Sequence, residues 1–360
     1  MTILPLLTDL LNIPSPTFQE QALTNFIEDW MRKRIANLIV KQHGQSRILS
    51  LPLIEELPHI ALVGHSDVVP DHFEAYREAG RIHGAGASDM QGSLAVFAIL
   101  MQEFSRLTDR QFNFSFILYD AEEGTPLEQN GLCSLIAAES DFLQTIDLAI
   151  VGEPTNGQVQ LGCVGSLHAK VVVSGVACHS ARPWDGQNAL YNALPLITGL
   201  SKIEPLKRSV LNVDFFDVIN ITESCSQAGR TTIPGQWSCN INYRYAPGPS
   251  MAEAEVMFQR LLVQAKTTTN VICEIVDHVP AAQIIESELF HRIVSWLKTD
   301  IAAKQAWTDV AQLNGIGIPA FNFGPGLTAQ AHKPDEYILV EDMVAYYYLL
   351  RQLAHFRSPN

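Results

Sequence analysis

The stretch HIALVGHSD at residues 59–67 decides the fold. Residues 59–64 form a short apolar run with β-branched side chains, which predicts a buried strand. His65 and Asp67 follow directly where this strand ends. A strand that ends in ionisable residues places them at the carboxyl edge of a sheet, where open α/β folds carry their chemistry. The stretch therefore predicts an α/β fold with a functional site at that edge.

The same pattern, an apolar run followed by acidic or histidine side chains, recurs along the chain. Three further strands are predicted from it, each with its polar residues: 112–119 with Glu122 and Glu123, 147–152 with Glu153, and 318–324 with His332. A fifth acid, Asp89, lies in the glycine-rich segment 84–95, just before the helical apolar period of residues 91–107. Alternating strands and helices favour a mixed, mostly parallel sheet that helices cover.

The middle of the chain has a different order of elements, β-α-β-β-α-β, which is typical of a ferredoxin-like α+β unit. The predicted elements are strands at 167–176, 210–222, 236–245 and 271–276, and helices at 187–200 and 251–265. None of the candidate ligands falls among them. We therefore expect a catalytic domain made of residues 1–165 and 278–360, with residues 166–277 inserted as a second domain.

The candidate residues are those that zinc prefers when thiolate is absent, namely histidine nitrogen and carboxylate oxygen. The six cysteines are scattered without a CxxC pair, which argues against a cysteine-built zinc site. Asp67 lies two residues after His65, a spacing that lets an acid orient the imidazole. Glycines around Asp89 allow a tight turn that presents a carboxylate between two ions. Of the two adjacent glutamates, Glu122 and Glu123, one can bind metal while the other faces the attacking water.

Composition limits the partners that we expect. The formal net charge is −14, from 24 Lys and Arg against 38 Asp and Glu, which argues against nucleic acid or an anionic membrane as the main partner. The apolar N-terminus lacks the basic region and cleavage site of a secretory signal, and no stretch is apolar and long enough to span a bilayer. Reduced cysteines in the cytoplasm are the simplest interpretation.

Six segments together resemble the signature motifs of the dinuclear zinc deacylase and exopeptidase family. They are GHSDVVP (64–70), GAGASDMQGSLA (84–95), AEEG (121–124), GEPTNG (152–157), CHSARPWDGQNAL (178–190) and AHKPDEY (331–337). The family includes succinyl-diaminopimelate desuccinylases, acetylornithine deacetylases and carboxypeptidase G-like enzymes. The segments occur in order along nearly the whole chain. The similarity to desuccinylases of actinobacterial type is greatest in EPTNGQVQLGC (153–163), HSARPWDGQNAL (179–190), NYRYAP (242–247), WTDVA (307–311), GIPAFNFGPG (317–326) and AHKPDEY (331–337). The resemblance implies a zinc exopeptidase-like fold whose inserted domain serves as lid and dimerisation domain.

The resemblance also implies a role for each matching residue. His65, Asp89 and Glu153 would bind one Zn²⁺, and Asp89, Glu123 and His332 the other, with two ions per subunit and Co²⁺ as a possible substitute. Glu122 would be the general base and Asp67 would orient His65. The peptide bond after Asp89 is expected to be cis. His179 would stabilise the oxyanion in the partner subunit's site, so the enzyme would be a homodimer. Arg244, Ser166, Thr308 and Arg182 would contact the substrate, and Lys333 is a nearby cation without an assigned role.

The implied reaction is hydrolysis of a small anionic N-acyl amino acid, N-succinyl-LL-2,6-diaminopimelate, in lysine and cell-wall synthesis. Alternatives within the family are deacetylation of N-acetylornithine or N-acetylcitrulline and cleavage of dipeptides. An acyltransferase with the same metals and a non-enzymatic relative are the alternatives from other classes. All the implied ligands and the base are present, which disfavours the non-enzymatic relative. Compared with acetylornithine-type relatives, the chain has an extra stretch after Glu123. This difference leaves the identity of the substrate open.

Overall fold

The computed structural model describes residues 3–69, 71–226, 229–265 and 271–356. They form two compact units. The first contains the chain up to Gly162, Ile284–Ala302 and the described residues from Thr308 onward. The second contains Cys163–Gln283 and Ala303–Trp307. The second unit thus begins slightly before the predicted insertion of 166–277, ends slightly after it, and takes in a short later segment.

Strands and helices are numbered in chain order. The strands are β1 (Ile39–His43), β2 (Ser46–Ser50), β3 (His59–His65), β4 (Tyr76–Glu78), β5 (Arg81–His83), β6 (Asn113–Tyr119), β7 (Leu148–Val151), β8 (Val159–Leu161), β9 (Gly165–Ser174), β10 (Cys178–His179), β11 (Leu206–Val210), β12 (Val213–Ser226), β13 (Thr232–Ile233), β14 (Gln236–Tyr245), β15 (Val271–Val279), β16 (Ile301–Ala303), β17 (Ala320–Asn322) and β18 (Tyr337–Leu339). The α-helices are α1 (Ile3–Leu11), α2 (Gln21–Arg32), α3 (Gly92–Phe104), α4 (Gly131–Ala138), α5 (Ser140–Leu143), α6 (Ala189–Leu200), α7 (Met251–Gln264), α8 (Glu288–Leu297), α9 (Val310–Gly315) and α10 (Val340–Arg351). None of the described helices is long and apolar enough to cross a membrane.

The first unit is built on an eight-stranded sheet in the order β1-β2-β6-β3-β7-β17-β8-β16. The four central strands, β6-β3-β7-β17, run parallel, while β1, β2 and β8 pair antiparallel. Every residue of β3, β6 and β7 is buried. Continuous burial of this kind is expected of parallel strands that are covered on both faces. The predicted mixed, mostly parallel sheet is confirmed.

Glycines let the segment around Met90 pack closely against two of these strands. A Cβ atom on Gly64, the residue before His65, would lie 2.6 Å from Met90 Cε. A Cβ atom on Gly152, the residue before Glu153, would lie 2.6 Å from Ser93 Cβ. A larger residue at either position would have to displace side chains of the segment that follows Asp89. The two glycines therefore let this segment pack closely against the ends of β3 and β7.

The second unit contains the predicted ferredoxin-like arrangement. Its sheet has the order β11-β12-β14-β9-β15, with every neighbouring pair antiparallel. Helices α6 and α7 pack on one face of the sheet through a common apolar core that includes Leu196, Phe258, Ile241 and Val171. The elements β9-α6-β12-β14-α7-β15 follow the predicted order, so the ferredoxin-like prediction is confirmed.

The strand predicted at residues 210–222 corresponds to β12, but the prediction missed β11, which forms a hairpin with β12. The turn consists of Leu211 and Asn212, which have φ angles of 49° and 64°. Two left-handed residues in a row give the turn type that matches the twist of a two-residue hairpin. Asparagine tolerates this conformation but leucine does not favour it. The usual Asn-Gly turn signal is thus missing from the sequence.

Acid sensitivity of the fold is expected to depend on His59, the first residue of β3. Its ring is buried, with Nδ1 3.0 Å from Thr145 Oγ1 and Nε2 2.6 Å from Ser115 Oγ. Burial lowers the pKa of His59 from 6.5 to about 4. His59 therefore binds a proton near pH 6.5 in the unfolded chain, but only near pH 4 in the folded chain. The free energy of unfolding should fall by up to about 3 kcal/mol as the pH drops through this window.

Urea unfolding at pH 7.0, 5.5 and 4.5 tests this expectation. A His59→Gln variant should lose most of this component of the pH slope, since it has no imidazole to protonate. The exposed His72 gives the matched control, and His72→Gln should keep the wild-type slope. An unchanged slope in His59→Gln would contradict the assignment.

Candidate metal centre

The carboxyl ends of the parallel strands bring the predicted ligands to one edge of the sheet. His65 is the last residue of β3, and Glu153 comes two residues after β7. Glu122 and Glu123 follow β6 within a short turn. His332 lies in the segment after β17. Because these strands are neighbours and run parallel, their ends lie side by side.

Asp89 lies between the two histidines, with one carboxylate oxygen toward each. Its Oδ1 is 3.2 Å from His65 Nε2, and its Oδ2 is 3.6 Å from His332 Nε2. Each histidine also faces a glutamate. His65 Nε2 is 3.8 Å from Glu153 Oε1, and His332 Nε2 is 3.1 Å from Glu123 Oε1. The five side chains thus form two groups that share Asp89.

These spacings fit metal ligation. Ligand atoms around one tetrahedral zinc, each about 2.0–2.2 Å from the ion, lie about 3.4 Å apart. The observed separations between donor atoms of 3.1–3.8 Å are close to this value. Donor atoms of His65, Asp89 and Glu123 also all lie within 4.8 Å of one another. This set of three joins one residue of each group with the shared Asp89, so the residues present suit the binding of divalent cations.

Electrostatics at the site favour cations. Burial raises the pKa of Glu122 well above its usual value, and the charge of the adjacent Glu123 raises it further. Burial likewise raises the pKa of Glu123. Burial would lower the pKa of His65, but its hydrogen bonds with Asp67 and Asp89 outweigh this and raise it. Crowded carboxylates of this kind are stabilised by a nearby positive charge.

Asp67 holds the turn that carries the two glutamates. Its Oδ1 accepts a hydrogen bond from Glu122 N at 3.0 Å, and its Oδ2 accepts one from Glu123 N at 2.9 Å. His65 Nδ1 is 3.0 Å from the Asp67 backbone oxygen and 3.5 Å from its Oδ1. The backbone carbonyl is therefore the nearer acceptor for the imidazole. The carboxylate contacts both His65 and the glutamate turn.

Two buried glutamates that the sequence did not single out also hold backbone of the site. Glu336 Oε1 accepts hydrogen bonds from Ser88 N at 2.7 Å and Asp89 N at 2.9 Å, and Oε2 accepts one from Gly86 N at 2.8 Å. Burial raises the pKa of Glu336 to about 7, while these N–H groups act in the opposite direction. The peptide bond that follows, Asp89–Met90, is cis, as the family resemblance led us to expect.

Glu20 acts in the same way on the glutamate turn. Its Oε1 accepts a hydrogen bond from Ala121 N at 3.0 Å, and its Oε2 accepts one from Gln45 Nε2 at 3.0 Å. Ala121 has a φ of 55°, so the residue before Glu122 is held in a conformation that alanine does not favour. No pattern around Glu20 signals this contact. Glu336 could have been suspected, because it lies four residues after His332 in a quoted motif.

The remaining predicted residues are distributed over both units. Thr308 is buried in the first unit and donates a hydrogen bond to Asn322 Oδ1 at the end of β17, at 3.0 Å. Lys333 is exposed beside His332. Four residues belong to the second unit: Ser166 and Arg244 on its sheet, and the exposed His179 and Arg182.

Comparison with known proteins gives a consistent result. The model of a family described as peptidase family M20/M25/M40 matches residues 61–355. Succinyl-diaminopimelate desuccinylase of Corynebacterium glutamicum is 32% identical over 95% of this chain and 93% of its own. Succinyl-diaminopimelate desuccinylase of Pseudoalteromonas translucida is 27% identical over 80% of this chain and 81% of its own.

Solved structures share the fold at low sequence identity. Aminopeptidase PepT from Bacillus cereus has a TM-score of 0.76 at 16% identity, covering 98% of this chain and 97% of that one. The YXEP protein of Bacillus subtilis, described as a dinuclear metal binding peptidase from the M20 family, has a TM-score of 0.70 at 17% identity, with coverages of 98% and 96%.

Replacing Glu336 should weaken metal binding without removing a ligand. In Glu336→Gln the side-chain NH₂ would face at least one of the three backbone N–H donors. The turn that carries Asp89 would therefore lose a hydrogen-bond acceptor. We expect affinity for Zn²⁺ to fall by about 10–100-fold, as when a group that orients a ligand is lost. Competition with a fluorescent chelator measures it.

The exposed Glu341 offers a control with the same chemical change. Glu341→Gln should bind Zn²⁺ as the wild type does. If Glu336→Gln also retained wild-type affinity while folded, as judged by circular dichroism, the backbone contacts of Glu336 would have no part in metal binding.

Proposed function

The chain belongs to peptidase family M20/M25/M40, and we propose that it removes the succinyl group from N-succinyl-LL-2,6-diaminopimelate. Family membership makes it a metal-dependent amide hydrolase, as the sequence motifs predict. Water adds to the succinyl amide, the C–N bond breaks, and succinate and LL-2,6-diaminopimelate are released. The observation that carries the substrate assignment is the 32% identity, across 95% of the chain, to a protein named for this reaction.

We propose two divalent cations, zinc by preference and cobalt as a substitute. His65, Asp89 and Glu153 would hold one, and Asp89, Glu123 and His332 the other. Support comes from the two oxygens of Asp89, each turned toward a different histidine, and from the dinuclear site named for the B. subtilis relative. When bound, such ions act as Lewis acids that acidify the attacking water and polarise the acyl carbonyl.

Glu122 is the proposed general base. It would take a proton from the attacking water and later deliver it to the departing amine. Burial and the Glu123 charge raise its pKa, which makes it a stronger base than an exposed glutamate. Asp67 and Glu20 fix the backbone on either side of it through Glu122 N, Glu123 N and Ala121 N.

His179 is the proposed donor to the oxyanion. Its Nδ1 accepts a hydrogen bond from Ala181 N at 3.1 Å, so the neutral ring carries its proton on Nε2. An N–H fixed in this way can stabilise developing negative charge. His179 is exposed in the single chain, and we propose that it completes the site of a second copy in a homodimer. Ser166, Arg182, Arg244 and Thr308 are the proposed contacts for the polar groups of the substrate.

We place the enzyme in the cytoplasm, a reducing compartment in which its six free cysteines are expected to persist as thiols.

Steady-state assays of the zinc-loaded chain test the substrate. N-succinyl-LL-2,6-diaminopimelate should be hydrolysed with a higher kcat/KM than N-acetylornithine, N-acetylcitrulline or a dipeptide. Preference for one of these would reject the substrate and keep the reaction class. A requirement for an amine acceptor in place of water would identify an acyltransferase.

Removing the base should abolish turnover and spare metal binding. Glu122→Gln keeps the shape of the side chain but cannot take the proton, so kcat should fall by about 100- to 10,000-fold. The zinc content, measured by mass spectrometry, should equal that of the wild type. Glu128→Gln, a change on an exposed glutamate in the same loop, should leave kcat unchanged. Near-normal turnover in Glu122→Gln would exclude it as the base.

Mixed dimers test whether His179 acts across subunits. Homodimers of Glu122→Gln and of His179→Ala should both be nearly inactive. A hybrid purified through two different tags contains one complete site of the two, and should recover about half of the wild-type activity. A hybrid as inactive as its parents would contradict action across subunits.

A further inference from the structure

The face of the second unit's sheet opposite α6 and α7 carries a row of polar side chains. Side chains on one face alternate along β9 and β14, where the helix-facing residues are buried and apolar. The opposite face presents Ser166 and His168 from β9 and Asn240, Asn242 and Arg244 from β14. His168 lies directly across from Asn242, and Ser166 lies across from Arg244.

Hydrogen bonds connect this row from one end to the other. Arg244 Nε donates to Asn242 Oδ1 at 2.9 Å. Asn242 Nδ2 lies 3.1 Å from both His168 Nε2 and Ser166 Oγ. On the other side of the ring, His168 Nδ1 is 3.0 Å from the side-chain amide of Asn240. His168 therefore lies at the centre of the chain that leads to Arg244.

Counting donors and acceptors determines the protonation of this ring. Asn242 Oδ1 is occupied by Arg244, so the amide group that faces His168 must be the NH₂ donor. His168 Nε2 must then accept, which leaves the proton of the neutral ring on Nδ1. Asn240 Nδ2 lies 3.0 Å from His168 Nδ1 and 2.7 Å from Thr222 Oγ1, so this amide must be turned over to accept the ring proton. Its oxygen then accepts from both His168 Nδ1 and the Thr222 hydroxyl.

The charged groups near His168 favour the neutral ring. Burial lowers the pKa of His168, and the positive charge of Arg244 lowers it further. Asp277 on β15 and Glu223 on β12 act in the opposite direction but do not reverse the shift. A protonated ring would present a donor to the Asn242 donor, and the contact would be lost.

Arg244 is influenced by the negative charge of Asp277, but the two side chains do not form an ion pair. Its side chain is partly buried, and burial lowers its pKa. Among the described residues, the Arg244 guanidinium has no carboxylate within ion-pair distance. Its hydrogen-bond acceptor is the neutral side-chain amide of Asn242. A guanidinium with free N–H groups, held by its Nε, is suited to a carboxylate from a ligand.

We propose that His168 is a positioning residue which, as the neutral ring with its proton on Nδ1, fixes Asn242 and through it holds Arg244 for a substrate carboxylate. The inference rests on the proposed function, in which Arg244 receives that carboxylate. His168 itself does not touch the substrate. Its loss should therefore weaken ligand binding and leave the chemical step intact.

Two substitutions of His168 test the roles of its two ring nitrogens separately. Glutamine places an amide oxygen near the position of Nε2 and can still accept from Asn242, whereas asparagine reaches only as far as Nδ1. For the zinc-loaded chain, His168→Asn should raise KM, and the Kd of succinate measured by calorimetry, about tenfold with unchanged kcat. His168→Gln should stay within about twofold of the wild type. His278→Asn is the matched control, because His278 contacts Tyr245 and Glu255 on the helix side of the same sheet.

A double-mutant cycle tests whether His168 acts through Arg244. In an Arg244→Ala background, adding His168→Asn should change neither KM nor the Kd of succinate further. The ¹⁵N shifts of the His168 ring should report a neutral ring with its proton on Nδ1. Equal KM values for wild type and His168→Asn, an additional loss in the Arg244→Ala background, or a proton on Nε2 would each overturn the inference.

The proposed function can fail separately. A wild-type chain that binds succinate but does not hydrolyse N-succinyl-LL-2,6-diaminopimelate would reject the proposed function. In that case the ring protonation and the succinate affinities of the same variants still decide the role of His168.

Discussion

The shared carboxylate of Asp89 is the constraint on which the rest of the site depends. Its two oxygens lie 3.2 Å and 3.6 Å from nitrogens of two different histidines, one at the end of β3 and one far along the chain. To reach between them, the backbone must turn sharply beside the sheet edge. Gly64 and Gly152 leave room for this approach, and the three N–H bonds to Glu336 fix it. The position of Asp89 is therefore set by close packing and by hydrogen bonds to the backbone around it.

Buried carboxylates that are not among the proposed metal ligands hold the backbone turns of the site in place. Glu336 holds the turn of Asp89, while Asp67 and Glu20 hold the turn of Glu122 and Glu123. Loops at strand ends have backbone N–H groups without partners in the sheet, and a buried carboxylate can accept two or three of them. The same contacts offset the cost of burying the acids. The same kind of contact thus holds the turn of Asp89 and the backbone around Glu122, the proposed base.

Much of this arrangement could be predicted from the sequence, since strand ends followed by His65, Glu123 and Glu153 carry a strong local signal. The ferredoxin-like order was equally visible from alternation. Glu20 could not be found, because its partner, Ala121, is 101 residues away and only the folded chain brings them together. The β11–β12 hairpin was missed because Leu211 adopts a left-handed conformation that its residue type does not signal. The role of His168 depends on which amide atoms face its ring, which no spacing rule reports.

Anomalous diffraction at the zinc edge, from crystals of the zinc-loaded chain, tests most directly whether Asp89 is shared between two ions. We expect two anomalous peaks per chain, one about 2 Å from each oxygen of Asp89. One of them should also be ligated by His65 and Glu153, and the other by Glu123 and His332. A single peak, or two peaks of which only one contacts Asp89, would contradict the shared carboxylate and with it the division of the five ligands.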